Sequence, residues 1–167
     1  VPGRGPGAAG RNQITALRRA GEPEYWSNAP FEPIAECFAG TGGAWLIDEQ
    51  RTTADGRICI SGTTCASHRR PLLPPKPSTR NIFLMHYPAW VKRLAPHRYD
   101  LLLAGHSHGG QVWLPFYGAA VVPYGVEEYA RGLFHTAAGP LYVNPGIGWF
   151  WLPIRFNCRP EITVFDL

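Results

Sequence analysis

Two histidines one residue apart close a short apolar run, Leu101-Leu102-Leu103-Ala104-Gly105-His106-Ser107-His108-Gly109-Gly110. Neutral imidazole is a common nitrogen ligand for zinc, manganese and iron, so a His-x-His on a rigid strand edge could supply half of a four-coordinate metal site. In an extended chain residues i and i+2 point the same way. His106 and His108 are therefore expected to aim into one pocket while Ser107 faces away. The glycines on either side allow a tight turn or close approach to a bound anion. The alternative for an isolated His-x-His is a solvated turn.

A second strand end repeats the pattern. Asn81-Ile82-Phe83-Leu84-Met85-His86 is an apolar run that stops at a histidine, with Tyr87-Pro88 ending the strand. Between the two runs, Ala89 to Ala95 suits a short helix closed by Pro96. The whole predicts a strand-helix-strand crossover with parallel strands, which would set His86 beside His106. In such sheets functional groups gather beyond the carboxyl ends of the strands.

These residues, with Gly109-Gly110-Gln111-Val112, Leu114-Pro115, Tyr129 to Leu133, Leu141 to Gly148, Leu152 to Phe156 and Pro160-Glu161-Ile162, resemble the C-terminal half of the calcineurin-like metallophosphoesterases. The likeness is to the bacterial, membrane-associated branch of that family and runs from about residue 24 to 167. It implies an α/β fold, the C-terminal portion of a four-layer αββα sandwich with mixed sheets whose N-terminal strands are missing. It also implies a hydrolase of phosphoester, phosphodiester or pyrophosphate bonds, with lipid-linked substrates among those expected. Two divalent ions (Mn, Fe, Zn or Mg) would activate a bridging water and neutralise charge on the phosphate. Carried over, His86 and His106 would hold one ion and His108 its neighbour.

The family's Asp-x-His, Gly-Asp-x-x-Asp and Gly-Asn-His-Asp/Glu motifs do not occur in the chain. Gly21-Glu22-Pro23-Glu24-Tyr25-Trp26 stands where the last is expected, and Pro23 occupies the position of the proton-donating histidine. Proline has no side chain able to do that work. The chain as given is thus expected to be a weak or inactive phosphoesterase, or a non-catalytic fragment or paralogue that binds metal or lipid.

Residues 1 to 23, rich in glycine, proline and arginine, read as a disordered lead, and 24 to 167 as a partial phosphoesterase domain. The sharp change near Glu24 suggests an out-of-frame start. The lead carries Arg4, Arg11, Arg18 and Arg19 against Glu22, which is most of the net +4 of the chain. Without aromatics among those arginines for stacking, no nucleic-acid partner is expected.

Further on, residues 31 to 39 have helical spacing, and Ala44 to Ile47 and Ile58 to Ser61 read as a hairpin around Ala54-Asp55-Gly56. Residues 66 to 79 read as a loop in which Arg69 and Arg70 could meet a substrate phosphate. Short strands are expected at 111 to 114, 119 to 122, 133 to 136, 141 to 144 and 161 to 165, with antiparallel pairing late in the chain. His97 and His135 read as packing or surface residues. Trp149, Phe150 and Trp151 cannot all be buried on one face, so a membrane lipid surface is a candidate partner.

At 167 residues and 45% apolar content the composition is that of a globular chain with room for a core. No stretch is long enough to span a bilayer. Four cysteines without close spacing fit a reducing setting, so the expected location is cytoplasmic, with a peripheral membrane association.

Overall fold

A computed structural model of the chain describes residues 17–19, 36–41, 43–65, 72–150 and 152–166. Strands occur in the order β1 (Leu17–Arg19), β2 (Ala44–Leu46), β3 (Glu49–Thr52), β4 (Ile58–Gly62), β5 (Arg80–Met85), β6 (Leu101–Ala104), β7 (Trp113–Leu114), β8 (Gly118–Ala119), β9 (Gly132–Thr136) and β10 (Gly139–Val143). Six of them form one sheet in the order β3-β4-β5-β6-β10-β9. Its four inner strands run parallel, and β3 and β9 pair antiparallel at the two edges. The sheet is mixed, as expected.

Alternation along the inner strands sorts their side chains to two faces. Phe83, Met85, Leu102, Ala104, Leu141 and Val143 form one buried layer with Val91, Leu94, Tyr99 and Ala138. Val91 and Leu94 come from the crossover between β5 and β6. It is a 3-10 helix, Pro88–Leu94, with proline at its start, in place of the expected helix over 89–95. The Tyr99 hydroxyl donates to the Leu73 carbonyl at 2.6 Å, its ring meets Phe83 edge-on at 5.0 Å, and burial pushes its phenol up to about 12. The opposite face buries Ile60, Ile82 and Leu101 beneath Ala44 and Leu46 of β2. A Cβ on Gly62 would fall 2.5 Å from the Leu46 Cβ, so glycine at this position lets β2 lie directly on β4.

The amino ends of β5 and β6 are tied by Asn81 and Asp100. The Asn81 amide donates to Asp100 Oδ2 at 2.7 Å, and the Asp100 amide donates to the Asn81 carbonyl at 3.0 Å. The buried Asn81 side chain accepts from the Lys76 amide and donates to the Lys76 and Thr79 carbonyls, at 2.7, 2.9 and 3.0 Å. This clasp sets the register Ile82↔Leu101 through Met85↔Ala104.

Several expectations are corrected. The hairpin partner of β4 is Glu49–Thr52, not Ala44–Ile47. The chain breaks at Asp48, which has a positive φ of 53° and accepts the Thr64 amide at 2.9 Å. β2 instead pairs in parallel with β1. Residues 161–165 form no strand, and Glu161 and Thr163 engage β10 through side chains, with Asn144 donating to Thr163 Oγ1 at 2.8 Å. The pair expected at 111–114 and 119–122 is shortened to β7 and β8. The helix expected over 31–39 lies mostly outside the described residues, of which 36–41 form a turn. The described residues form a mixed α/β sheet with few helices, compatible with part of a phosphoesterase fold.

Replacing Asn81 with alanine removes three hydrogen bonds around a buried group. Urea unfolding of Asn81→Ala is expected to show a loss of about 1–3 kcal/mol; an unchanged midpoint would mean that the side-chain bonds to Lys76 and Thr79 contribute nothing.

Candidate active site at the carboxyl ends of the parallel strands

His86 follows β5 directly and His106 stands two residues beyond β6. Because Met85 and Ala104 are paired, both histidines emerge on the same edge of the sheet, with ring centroids 4.3 Å apart and planes tilted by 48°. The expectation that parallel strands bring them together is met. Tyr87 stands against both rings, edge-on at 4.8 Å from each, and is itself backed by Trp90 at 5.1 Å. His106 Nε2 lies 2.9 Å from the Tyr124 carbonyl.

The His-Ser-His segment is not extended. His106 has φ 67° and His108 φ 49°, and Gly109, Gly110 and Gln111 also lie at positive φ. The alternation argument for His106 and His108 therefore fails: a tight turn replaces the strand, closed by Gly110 and Gln111 amides donating to the Ser107 and His108 carbonyls at 2.8 and 3.1 Å. Ser107 is buried and its Oγ accepts the Gly109 amide at 3.1 Å, which explains a small hydroxyl residue between the histidines. His108 is half-buried beside Phe150, with ring centroids 5.8 Å apart.

Two residues that spacing alone does not single out hold this turn. Arg155 donates through Nε and Nη2 to the Gly148 carbonyl, through Nη2 to Pro145 at 2.8 Å, and through Nη1 to the His108 and Cys158 carbonyls, each at 3.4 Å. One guanidinium thus joins the histidine turn to two later segments. Buried Gln111 donates to the Leu152 and Ile154 carbonyls at 3.0 and 3.1 Å and accepts the Phe150 amide. Both residues lie inside the motifs that carry the family resemblance, but Gln111 reaches carbonyls 41 and 43 residues ahead and Arg155 reaches the histidine turn from 47 residues beyond it.

Burial holds the His108 pKa below its ordinary 6.5, with further lowering from the Arg155 charge and from His106; a backbone hydrogen bond at Gly148 acts in the opposite sense. Arg69, Arg70, Trp151 and Pro23 lie outside the described residues. His97 and His135 sit away from this edge, His97 with its ring 6.4 Å from Tyr99 and His135 exposed on edge strand β9.

As a place for divalent ions the site is incomplete. His86 and His106 suit nitrogen ligands, and the carbonyl behind His106 is the partner that metal-bound imidazoles commonly have. Yet among the described residues no three His, Cys, Asp or Glu side chains are grouped so as to hold a metal ion. The described donors do not make up a two-metal centre.

Comparison with known proteins gives this edge a context. The chain is 42% identical over 87 residues to the metallophosphoesterase YkuE of Bacillus subtilis, covering 52% of this chain and 30% of that protein. It is 34% identical over 97 residues to the phosphodiesterase YaeI of Escherichia coli, covering 56% and 36%. It is 38% identical over 96 residues to the UDP-2,3-diacylglucosamine pyrophosphatase LpxG of Chlamydia trachomatis, covering 53% and 29%. The chain therefore spans about a third of the length of these curated relatives. No family model matches it, and no solved structure does. Over about half of its length the chain is a relative of the phosphoester hydrolases. Within these its relatives are the metallophosphoesterases, in keeping with the calcineurin-like resemblance of its histidine motifs.

The unfolded chain takes up the His108 proton near pH 6.5, and the folded chain takes it up only at lower pH. Stability is therefore expected to fall as pH drops below 6.5. An NMR titration of the His108 ring should have its midpoint below 6.5; a midpoint at or above that value would contradict the burial and charge argument.

Proposed function

We propose that this chain carries the histidine-bearing part of a metal-dependent phosphoester hydrolase acting on phosphodiester or pyrophosphate bonds. The observation that carries the reading is the His86–His106 pair, 4.3 Å apart at the carboxyl ends of adjacent parallel strands, in a chain similar to metallophosphoesterases. His86 and His106 serve one divalent ion and His108 its neighbour. Bound ions would supply an activated water and offset charge on the phosphate oxygens. Carboxylate donors would have to come from residues outside the described ones or from another chain, so turnover by the 167-residue chain alone is weak. Arg69 and Arg70 are assigned to the substrate phosphate, in the sense in which arginine pairs with oxyanions.

The names of two relatives point to the substrate classes, a phosphodiester for YaeI and a diacylated sugar nucleotide for LpxG. An acylated substrate would suit the apolar segment next to His108, where Ile147, Trp149, Phe150, Leu152 and Ile154 are all exposed. This surface is proposed to rest at a lipid interface, where tryptophan is favoured. No helix among the described residues is long and apolar enough to cross a membrane. A non-catalytic lipid or metal binder is the second reading; the absence of a three-donor group among the described residues favours its non-catalytic character and, of the two ligands, lipid.

With a chromogenic phosphodiester and added Mn2+, the purified chain should show low turnover that falls at least about tenfold in His106→Ala, with less bound metal by elemental analysis. Turnover indifferent to that substitution would overturn the hydrolase assignment, and an inactive, metal-free chain would favour a non-catalytic fragment without a metal role. In flotation with anionic liposomes, replacing Trp149 and Phe150 by serine should release the protein; undiminished flotation would end the lipid-interface proposal.

A further inference from the structure

His106 is held by a loop that lies 18 residues away in sequence. Its Nε2 is 2.9 Å from the Tyr124 carbonyl, and a carbonyl can only accept. The proton must therefore sit on Nε2, which leaves the lone pair of the neutral ring on Nδ1. The neighbouring Gly125 fixes where that carbonyl stands. It has φ +78°, and a Cβ there would lie 2.6 and 2.8 Å from Cδ1 and Cγ of the Tyr87 ring. Its carbonyl accepts the Ala89 amide at 3.0 Å, and Val126 beyond it is fully buried. Tyr87 in turn packs edge-on against His106 at 4.8 Å and against Tyr124 at 5.8 Å.

We propose that Gly125 is a positioning residue: by seating its backbone on the Tyr87 ring it places the Tyr124 carbonyl that selects the ring orientation and tautomer of His106. The inference rests on the assignment of His106 to the hydrolytic site for its functional meaning, but its test does not involve turnover. Any side chain at Gly125 meets the Tyr87 ring and, at that φ, a strained backbone as well. The segment must shift outward, and the Tyr124 carbonyl moves with it. The histidine then loses that acceptor, and its Nε2 proton loses the protection the carbonyl gave it. Neither Tyr124 nor Gly125 would be selected by a search for ligand residues, since both act through backbone.

The test is 15N NMR of the full chain without added metal, at a pH where the histidines are neutral. Free imidazole side chains already lean toward the Nε2–H tautomer, so the diagnostic signal is a ring proton protected from solvent exchange. The wild-type protein should show a His106 Nε2–H proton with slowed exchange and an Nδ1 shift typical of an unprotonated nitrogen. In Gly125→Ala that proton should exchange at least about fivefold faster, as loss of one hydrogen bond implies. Gly132→Ala supplies the control, since Gly132 also has positive φ but no atom within 4 Å of a built Cβ. It should leave the His106 signal unchanged. A wild-type His106 protonated on Nδ1, or one whose Nε2 proton exchanges at the free-solvent rate, would overturn the proposal even if Gly125→Ala did not fold. So would a protected proton unaltered in folded Gly125→Ala, or equal loss of protection in Gly132→Ala. Failure of this test leaves the hydrolase reading standing, and an inactive protein leaves this one standing.

Discussion

The hydrogen-bonded clasp between Asn81 and Asp100 is the constraint on which the histidine pair depends. It lies at the amino ends of β5 and β6, the opposite edge of the sheet from the chemistry. A slip of one residue between these strands would turn the inward face outward and separate the histidines along the edge. The apolar residues cannot prevent this alone, because Ile82, Phe83, Leu84 and Leu101, Leu102, Leu103 are nearly interchangeable in size and polarity. Directional bonds from a buried amide distinguish registers that hydrophobic burial does not. The site is thus specified by polar groups at one end of the strands and expressed at the other.

At the expressed end the backbone is strained. His106, His108 and Gln111 adopt left-handed conformations that cost non-glycine residues of order 1–3 kcal/mol each when the region is sparsely populated. They persist because the turn is fastened from several sides. Arg155 and Gln111 spend their side-chain donors on backbone carbonyls, and Ser107 caps the turn from within. Arg155 therefore acts as a brace for the turn. Its five donors face carbonyls of residues 108, 145, 148 and 158, so its role here is distinct from gripping a phosphate.

Much of this was legible in the sequence because apolar runs ending at histidines have a direct physical meaning. The parallel β5–β6 pair, the crossover and the β9–β10 hairpin all follow from short hydrophobic segments and their turns. What escaped has equally physical reasons. Strand β3, Glu49-Gln50-Arg51-Thr52, is polar because it is an edge with one exposed side, so hydrophobicity does not mark it. The 161–165 stretch has strand-like composition but is anchored by side-chain bonds in place of a ladder. The His-x-His read as extended because periodicity extrapolates a strand past its end, while its conformation is held by Arg155 and by the 150–154 backbone that Gln111 engages, both far along the chain. Long-range backbone contacts of that kind leave no local signature.

The electrostatics of the edge bear on what it can bind. His86 and His106 bring no negative charge, and the Arg155 guanidinium, already felt by the His108 ring, adds a positive one. A neutral imidazole keeps its lone pair available, which favours coordination, but two divalent cations placed beside a fixed guanidinium repel it and one another unless anions intervene. A bound cation needs its ligands in contact, where Coulomb energies are also largest, so the compensation would come from carboxylates or an anionic ligand at the edge itself. The described architecture thus brings His86 and His106 together and leaves charge balance to other groups. An anionic group, a phosphate among them, would meet the histidine edge, the guanidinium behind it and any metal with the same favourable sign.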